Sequence, residues 1–70
     1  MQTITSDMTA TVWKVLVQPG DLVSEGDVLV ILESMKMEIP FETEEAGTVS
    51  AVHVGVGDLV EDGGHLVTID

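Results

Sequence analysis

The sequence contains one segment twice, and this repeat limits the folds that the chain can adopt. When the chain is shifted by 37 positions, residues 11–32 align with residues 48–69, and eleven of the 22 aligned pairs are identical. The identical pairs are those whose first members are residues 11, 12, 15, 17, 20, 21, 22, 23, 26, 29 and 30. Unrelated segments would share about one or two such pairs, so the repeat is an internal duplication. Two copies are too few for a solenoid, and they predict one closed domain over residues 1–70 with a pseudo-twofold axis.

Each copy of the repeat has the pattern of short β-strands separated by tight turns. The apolar runs are rich in β-branched residues, which favour strands, and Gly or Pro interrupts them too often for a helix. We predict strands at residues 12–17, 22–23 and 28–32, and at the equivalent residues 49–54, 59–60 and 66–69. One more strand precedes each copy, at residues 2–5 and 39–43. Eight short strands predict an all-β fold, either a flattened barrel or a small sandwich.

The chain is strongly acidic, which limits the partners it can have. It contains 13 Asp and Glu residues against two lysines, and its formal net charge is −11. This charge argues against nucleic acid, because binding to phosphates needs Lys and Arg, and it also argues against anionic membrane surfaces. No apolar run is long enough to span a membrane, and residues 1–7 lack the basic and apolar regions of a signal peptide. We therefore expect a soluble, cytoplasmic protein, and we expect it to be a monomer.

The connection between the two copies holds the most unusual residues of the chain. Residues 33–38 read Glu-Ser-Met-Lys-Met-Glu and include Lys36, one of the two lysines. The short gap between the flanking strands predicts a tight hairpin, yet the segment lacks Asn-Gly, Asp-Gly or another favoured hairpin dipeptide. Such a departure from local preference is typical of functional sites. The repeat predicts that Lys36 lies at the pole of the domain opposite the two termini. The plain alternative is an exposed lysine that is simply solvated.

These residues resemble the attachment motif of biotinyl domains, whose core is Met-Lys-Met. Residues 46–49 (Ala-Gly-Thr-Val), 57–60 (Gly-Asp-Leu-Val) and 19–23 (Pro-Gly-Asp-Leu-Val) are similar to the rest of that family. The resemblance covers nearly the whole chain and is greatest to small free-standing biotinylated proteins. It implies a flattened barrel of two four-stranded antiparallel sheets with quasi-twofold symmetry and the lysine at a hairpin tip. Ser34 stands where many members have Ala, and the protruding thumb loop of some members is missing.

The resemblance also implies a function. Lys36 would be biotinylated by a biotin protein ligase, and the domain would shuttle a carboxyl group between the active sites of a biotin carboxylase and a carboxyltransferase. The domain itself would be non-catalytic, with no catalytic residue and no metal. The residues that the ligase or a partner would recognise are Glu33, Ser34, Met35, Met37 and Glu38. Met35 and Met37 either offer adaptable apolar contacts or pack over the end of the barrel.

Two alternative functions are also compatible with the sequence. The first is a lipoyl carrier on the same fold, but lipoyl domains typically have Asp-Lys-Ala at the tip, which the two methionines argue against. The second is an unmodified interaction module that has kept the barrel and lost the chemistry.

The remaining polar residues have ordinary structural interpretations. Lys14 is expected to be a solvated strand lysine, and no ligand spacing connects His53 with His65. Asp21 and Asp58 follow turn glycines and are predicted to cap those turns. Gly64 replaces the aspartate of the first copy and is expected to loosen its turn.

Overall fold

The chain forms eight β-strands and no helix in a computed structural model that describes all 70 residues. The strands are β1 (Gln2–Thr5), β2 (Ala10–Val15), β3 (Leu22–Val23), β4 (Val28–Ser34), β5 (Met37–Glu42), β6 (Gly47–Val52), β7 (Leu59–Val60) and β8 (His65–Ile69). The predicted all-β class is confirmed. No helix that could cross a membrane is present.

The strands form two four-stranded antiparallel sheets that are related by the repeat. Sheet 1 has the order β1-β8-β6-β3 and sheet 2 has the order β5-β4-β2-β7. A shift of 37 residues converts each strand of sheet 1 into the strand at the same place in sheet 2. Each sheet therefore contains two strands from each copy, and neither copy can form a complete sheet by itself.

The predicted limits of β2 and β6 were wrong, and the error is the same in both copies. β2 and β6 each begin and end two residues earlier than the apolar pattern indicated. The early start results from pairing with the short strand of the other copy, because Ala10 pairs with Val60 and Gly47 pairs with Val23. This pairing joins residues far apart in sequence, so the local pattern contains no signal of it.

The core lies between the sheets and consists of aliphatic side chains from both copies. Its buried residues are Ala10, Val12, Val23, Leu29, Val30, Leu32, Val49, Val60, Leu66, Val67 and Ile69. Burial of these side chains is the main favourable contribution to folding of a chain this small, which has no cysteine for a disulfide.

Two buried hydroxyl groups form hydrogen bonds with the backbone at equivalent corners of the fold, one in each copy. The Ser6 hydroxyl donates to the Met8 carbonyl at 2.6 Å, and the Thr43 hydroxyl donates to the Glu45 carbonyl at 2.7 Å. Ser6 and Thr43 are 37 residues apart, so the duplication extends upstream of the segment found by identity. Because a buried polar group must be hydrogen-bonded, these corners retain a hydroxyl residue in each copy.

Three of the four Gly-containing turns are capped by an aspartate side chain, and the caps at Asp21 and Asp58 confirm the prediction. The side chains of Asp21 and Asp58 accept hydrogen bonds from the backbone of Gln18 and Gly55 at 2.9 and 2.8 Å. In the turn that ends at Gly64, the amide of Gly64 still donates to the carbonyl of Glu61 at 2.8 Å. Gly64 therefore removes only the side-chain cap, and the turn keeps its backbone hydrogen bond.

Candidate functional site

Lys36 lies in a two-residue loop that joins β4 to β5. The strands are paired up to Ser34 and Met37, so Met35 and Lys36 alone make the connection. Both loop residues have left-handed backbone conformations, with φ of 52° at Met35 and 66° at Lys36. Two consecutive residues with positive φ are the mark of a type I′ turn, whose twist matches that of the flanking strands.

This turn is strained because neither central residue is Gly, Asn or Asp. A left-handed conformation costs a residue with a Cβ roughly 1–2 kcal/mol, and type I′ turns normally avoid this cost by using Asn-Gly. Here Met35 and Lys36 occupy both positions. Strain of this kind persists where the surrounding structure enforces it, and it is concentrated at functional sites. The tip is therefore not the most stable turn available to the fold.

The side chains at the tip extend into solvent. Met35 is 92% exposed and Met37 is 67% exposed, and neither packs against the core. Lys36 is also exposed and takes part in none of the side-chain hydrogen bonds. Side chains this exposed are not packed over the end of the barrel, which excludes that interpretation of Met35 and Met37. The exposures favour the other interpretation, in which the two methionines offer apolar contacts to another molecule. The Lys36 amine can be approached from outside without moving another side chain.

The structure brings all the predicted recognition residues together around Lys36. Glu33 lies directly opposite Glu38 on the two strands, and Ser34 lies opposite Met37. Both glutamates are exposed, whereas Ser34 is half-buried. Like charges directly opposite each other on a sheet are destabilising. The paired carboxylates are therefore a second feature of this hairpin that does not favour its stability.

The termini of the chain occupy the corresponding place in sheet 1. Gln2 pairs with Ile69 in sheet 1 as Ile39 pairs with Leu32 in sheet 2, and these pairs are related by the shift of 37 residues. The hairpin tip thus fills the position at which the other sheet has the two chain ends.

The other titratable residues lie elsewhere. Lys14 is exposed on β2, with its Nζ 4.7 Å from the centre of the Trp13 ring. The two histidines, which no sequence spacing connects, are brought into contact by the pairing of β6 with β8, and their ring centres are 5.8 Å apart. No group of three or more His, Cys, Asp or Glu side chains is placed to hold a metal ion.

Comparison with known protein families finds one family model that matches almost the whole chain. The family model for biotin and lipoyl attachment domains, described as "Biotin-requiring enzyme", matches residues 2–69.

The chain belongs to the biotin/lipoyl attachment family.

Individual relatives agree with this assignment. The domain is 47% identical over 66 residues to the biotinylated protein TB7.3 homolog of Mycobacterium leprae, an alignment that covers 94% of this chain and 93% of that protein. It is 51% identical over 67 residues to the biotin carboxyl carrier protein of Streptococcus mutans, covering 96% of this chain but only 52% of the relative.

A solved structure shows the same architecture. Within the urea carboxylase of Kluyveromyces lactis, a region superposes on this domain with a TM-score of 0.91 and 32% sequence identity. The superposition covers 99% of this chain and 6% of that enzyme. The family resemblance, the two-sheet fold and biotin as the family's cofactor, all predicted from the sequence, are confirmed.

The strain at the tip of this attachment domain predicts the effect of one substitution. Met35→Asn should raise the free energy of unfolding by about 1 kcal/mol, because Asn tolerates the left-handed conformation that Met must be forced into. Urea denaturation followed by circular dichroism measures this change.

The matched control for this prediction is Met37→Asn. Met37 is a strand residue without a positive φ, so Asn should give no gain in stability there. An equal gain from both substitutions would mean that the turn is not strained at Met35.

Proposed function

We propose that Lys36 is the biotin attachment residue and that the domain carries a carboxyl group between two enzyme active sites. The observation that carries this proposal is the exposed lysine at a strained type I′ tip with an exposed methionine on each side. An acceptor lysine needs an amine that is clear of its own protein, and this arrangement supplies one. A turn that lowers the stability of the domain is expected where another protein must recognise that turn.

Lys14 is a much poorer acceptor. It lies within β2, opposite Ile31 of β4, and its amine rests over the Trp13 ring. A ligase would have to work on the flat surface of a sheet to reach it. Lys36 is the only other lysine in the chain.

We propose that a biotin protein ligase recognises the residues around Lys36. Met35 and Met37 offer polarisable apolar side chains that can adapt to a pocket. Glu33 and Glu38 offer a pair of carboxylates to basic residues of the ligase, and Ser34 pairs with Met37 between these glutamates and the tip. Because a lysine amine is mostly protonated at neutral pH, the ligase is expected to supply the base that removes its proton.

In the carboxylase reaction the domain is proposed to be non-catalytic. Biotin, when attached, supplies the ring that holds the carboxyl group. The residues of the domain hold that ring at the end of a flexible side chain and raise its effective concentration at a biotin carboxylase and then at a carboxyltransferase. The net charge of −11 opposes self-association, which supports a monomer. We place this activity in the cytoplasm.

Competition between two ligases tests the choice of cofactor. When the chain is co-expressed with both a biotin protein ligase and a lipoate ligase, and both cofactors are supplied, we expect intact-mass spectrometry to show one biotinyl group per chain. The two methionines at the tip are the reason for this expectation, because they match the biotinyl motif and not the lipoyl motif.

Two other outcomes would contradict the proposal. A lipoyl increment would make the domain a lipoyl carrier, and a folded chain that neither ligase modifies would be an interaction module. Co-expression of a known lipoyl domain in the same cells shows that the lipoate ligase is active.

A further inference from the structure

The outer faces of the two sheets, which point away from the core, occupy equivalent positions but differ in chemistry. Positions 37 residues apart can be compared directly because the repeat relates them. Five outer residues of sheet 2, each followed by its counterpart in sheet 1, are Trp13 and Ser50, Leu16 and His53, Val28 and His65, Ile31 and Thr68, and Pro40 and Thr3. A sixth outer pair is Lys14 and Ala51. In the first five pairs the sheet 2 residue is apolar, and its sheet 1 counterpart carries a hydroxyl or an imidazole that can form hydrogen bonds. The pair of Lys14 with Ala51 is the exception.

The outer face of sheet 1 forms a polar network of its own. The Thr68 hydroxyl lies 3.3 Å from the Thr3 hydroxyl and 2.8 Å from Nε2 of His53. The His53 ring meets the edge of the His65 ring. Thr68 is buried beneath these neighbours. The side chains of Thr3, Thr68 and His53 are therefore hydrogen-bonded to one another on this face.

The outer face of sheet 2 has no such network. Lys14, Ile31 and Pro40 are aligned across β2, β4 and β5. Trp13 lies at an irregularity in the pairing of β2 with β4, and its ring contacts the Lys14 amine. Trp13 and Leu16 are exposed, and neither they nor Ile31 belong to the side chains packed against the core. The result is a surface whose side chains are apolar except for Lys14, which lies over the Trp13 ring. It is here called the apolar face and is defined by Trp13, Leu16, Ile31 and Pro40.

The fold does not require these apolar residues. Sheet 1 has the same backbone layout, including the same pairing irregularity at Ser50, and it accepts Ser, His and Thr at the matching positions. Exposed apolar side chains lower solubility, and a contiguous group of them marks a surface that contacts another molecule. The comparison of the two sheets thus indicates that the fold can form without apolar side chains on its outer face.

We propose that the apolar face docks the biotin carboxylase that acts on the biotinylated domain, through an enzyme surface with an apolar centre and a basic rim. Carboxylates border the face on both sides: Glu33 and Glu38 lie beyond it toward the hairpin, and Glu42 lies opposite Val28 at the other end. Basic residues of the enzyme would complement these carboxylates. A second copy of the chain fits poorly, because two acidic rims with a net charge of −11 on each copy repel each other.

The position of the apolar face favours an enzyme that acts on biotin over the ligase. Ile31 lies three residues before the end of β4, which places it about 10 Å along the strand from the hairpin turn that holds Lys36. A ligase must contact the hairpin tip to reach the amine itself. Biotin is attached through a long flexible side chain, so an enzyme that acts on its ring must hold the rigid body of the domain to limit where the ring can go. This inference rests on the proposed attachment at Lys36.

The test exchanges the chemistry of the two faces. In the variant Trp13→Ser/Leu16→His/Ile31→Thr, sheet 2 receives the residues that sheet 1 already has, so the fold is expected to be retained. The probe is a biotin carboxylase subunit that carboxylates the biotinylated wild-type domain. We expect the KM for the biotinylated variant to rise about tenfold or more, because central apolar contacts dominate the affinity of an interface. The kcat and the rate of biotinylation by the ligase should each stay within about twofold.

The matched control is His53→Leu/Thr68→Ile, which makes the reciprocal change on sheet 1 and should leave KM unchanged. An unchanged KM in the triple variant, or an equal rise in the control, would overturn the proposal. A parallel fall in the rate of biotinylation would identify the ligase as the occupant, and loss of a wild-type dimer in sedimentation would identify a second copy. Absence of biotinylation in the wild type would instead refute the proposed function.

A measurement on the wild type covers the case in which the triple variant does not fold. Raising the salt concentration should increase the KM of the biotinylated domain, because salt screens the contact between its carboxylates and a basic rim. A KM independent of salt would also overturn the proposal.

Discussion

Lys36→Arg should abolish biotinylation completely while leaving the fold unchanged. Arginine keeps the positive charge and the length of the side chain, but its guanidinium is not the amine that forms an amide with biotin. Lys36 is exposed and lies outside the core, so its replacement should not change the free energy of unfolding by more than about 0.5 kcal/mol. Intact-mass spectrometry after co-expression with a biotin protein ligase measures the modification.

The second lysine provides the matched control for this experiment. Lys14→Arg should be biotinylated as fully as the wild type, because Lys14 lies within β2 and not at the hairpin tip. A biotinyl group that persists in Lys36→Arg and disappears in Lys14→Arg would move the attachment site to the sheet.

Leu32→Ala should lower the free energy of unfolding by about 2–5 kcal/mol, which is a large share of the stability of a domain this small. Leu32 is 0% exposed in β4, where it pairs with Val12 on one side and Ile39 on the other. Truncation removes buried apolar surface and leaves a cavity at the base of the hairpin that ends in Lys36. Urea denaturation followed by circular dichroism gives the change.

Leu22→Ala is the control for the loss of a leucine side chain. Leu22 is 83% exposed in β3, so its truncation should cost no more than about 0.5 kcal/mol. If Leu32→Ala were as mild as Leu22→Ala, the two sheets would not be closing over Leu32 as the structure describes.

The predicted strands were most accurate where the local pattern and the tertiary contacts agree. β1, β3 and β7 were predicted with the limits that the structure has, because turn residues bound each of them. β4 and β5 extend further into the hairpin than predicted, up to Ser34 and from Met37. The added pairs are Glu33 with Glu38 and Ser34 with Met37, and the type I′ turn keeps them in register. An apolar pattern cannot indicate such pairs because each contains a polar residue.

The sequence predicted the position of the exposed hairpin but not its conformation. That Lys36 is the attachment residue and its five neighbours the recognition residues stays a prediction from the motif, and the absence of a favoured turn dipeptide indicated an unusual hairpin. It did not indicate that Met35 and Lys36 both adopt positive φ, which depends on the pairing of Ser34 with Met37. The contact between His53 and His65 was missed for a similar reason, since their strands meet only in the folded sheet.

The duplication, the all-β class, the turns and the exposed lysine can all be predicted from the residues alone. They depend on comparing the chain with itself, on Gly and Pro at turns, and on residue chemistry. The exchange of strands between the copies, by which each sheet contains β-strands from both, is visible only in the folded protein. The same is true of the placement of Trp13, Leu16 and Ile31 on an outer face. The physical reason is that strand pairing joins residues distant in the chain, and the side of a sheet to which a residue points depends on that pairing.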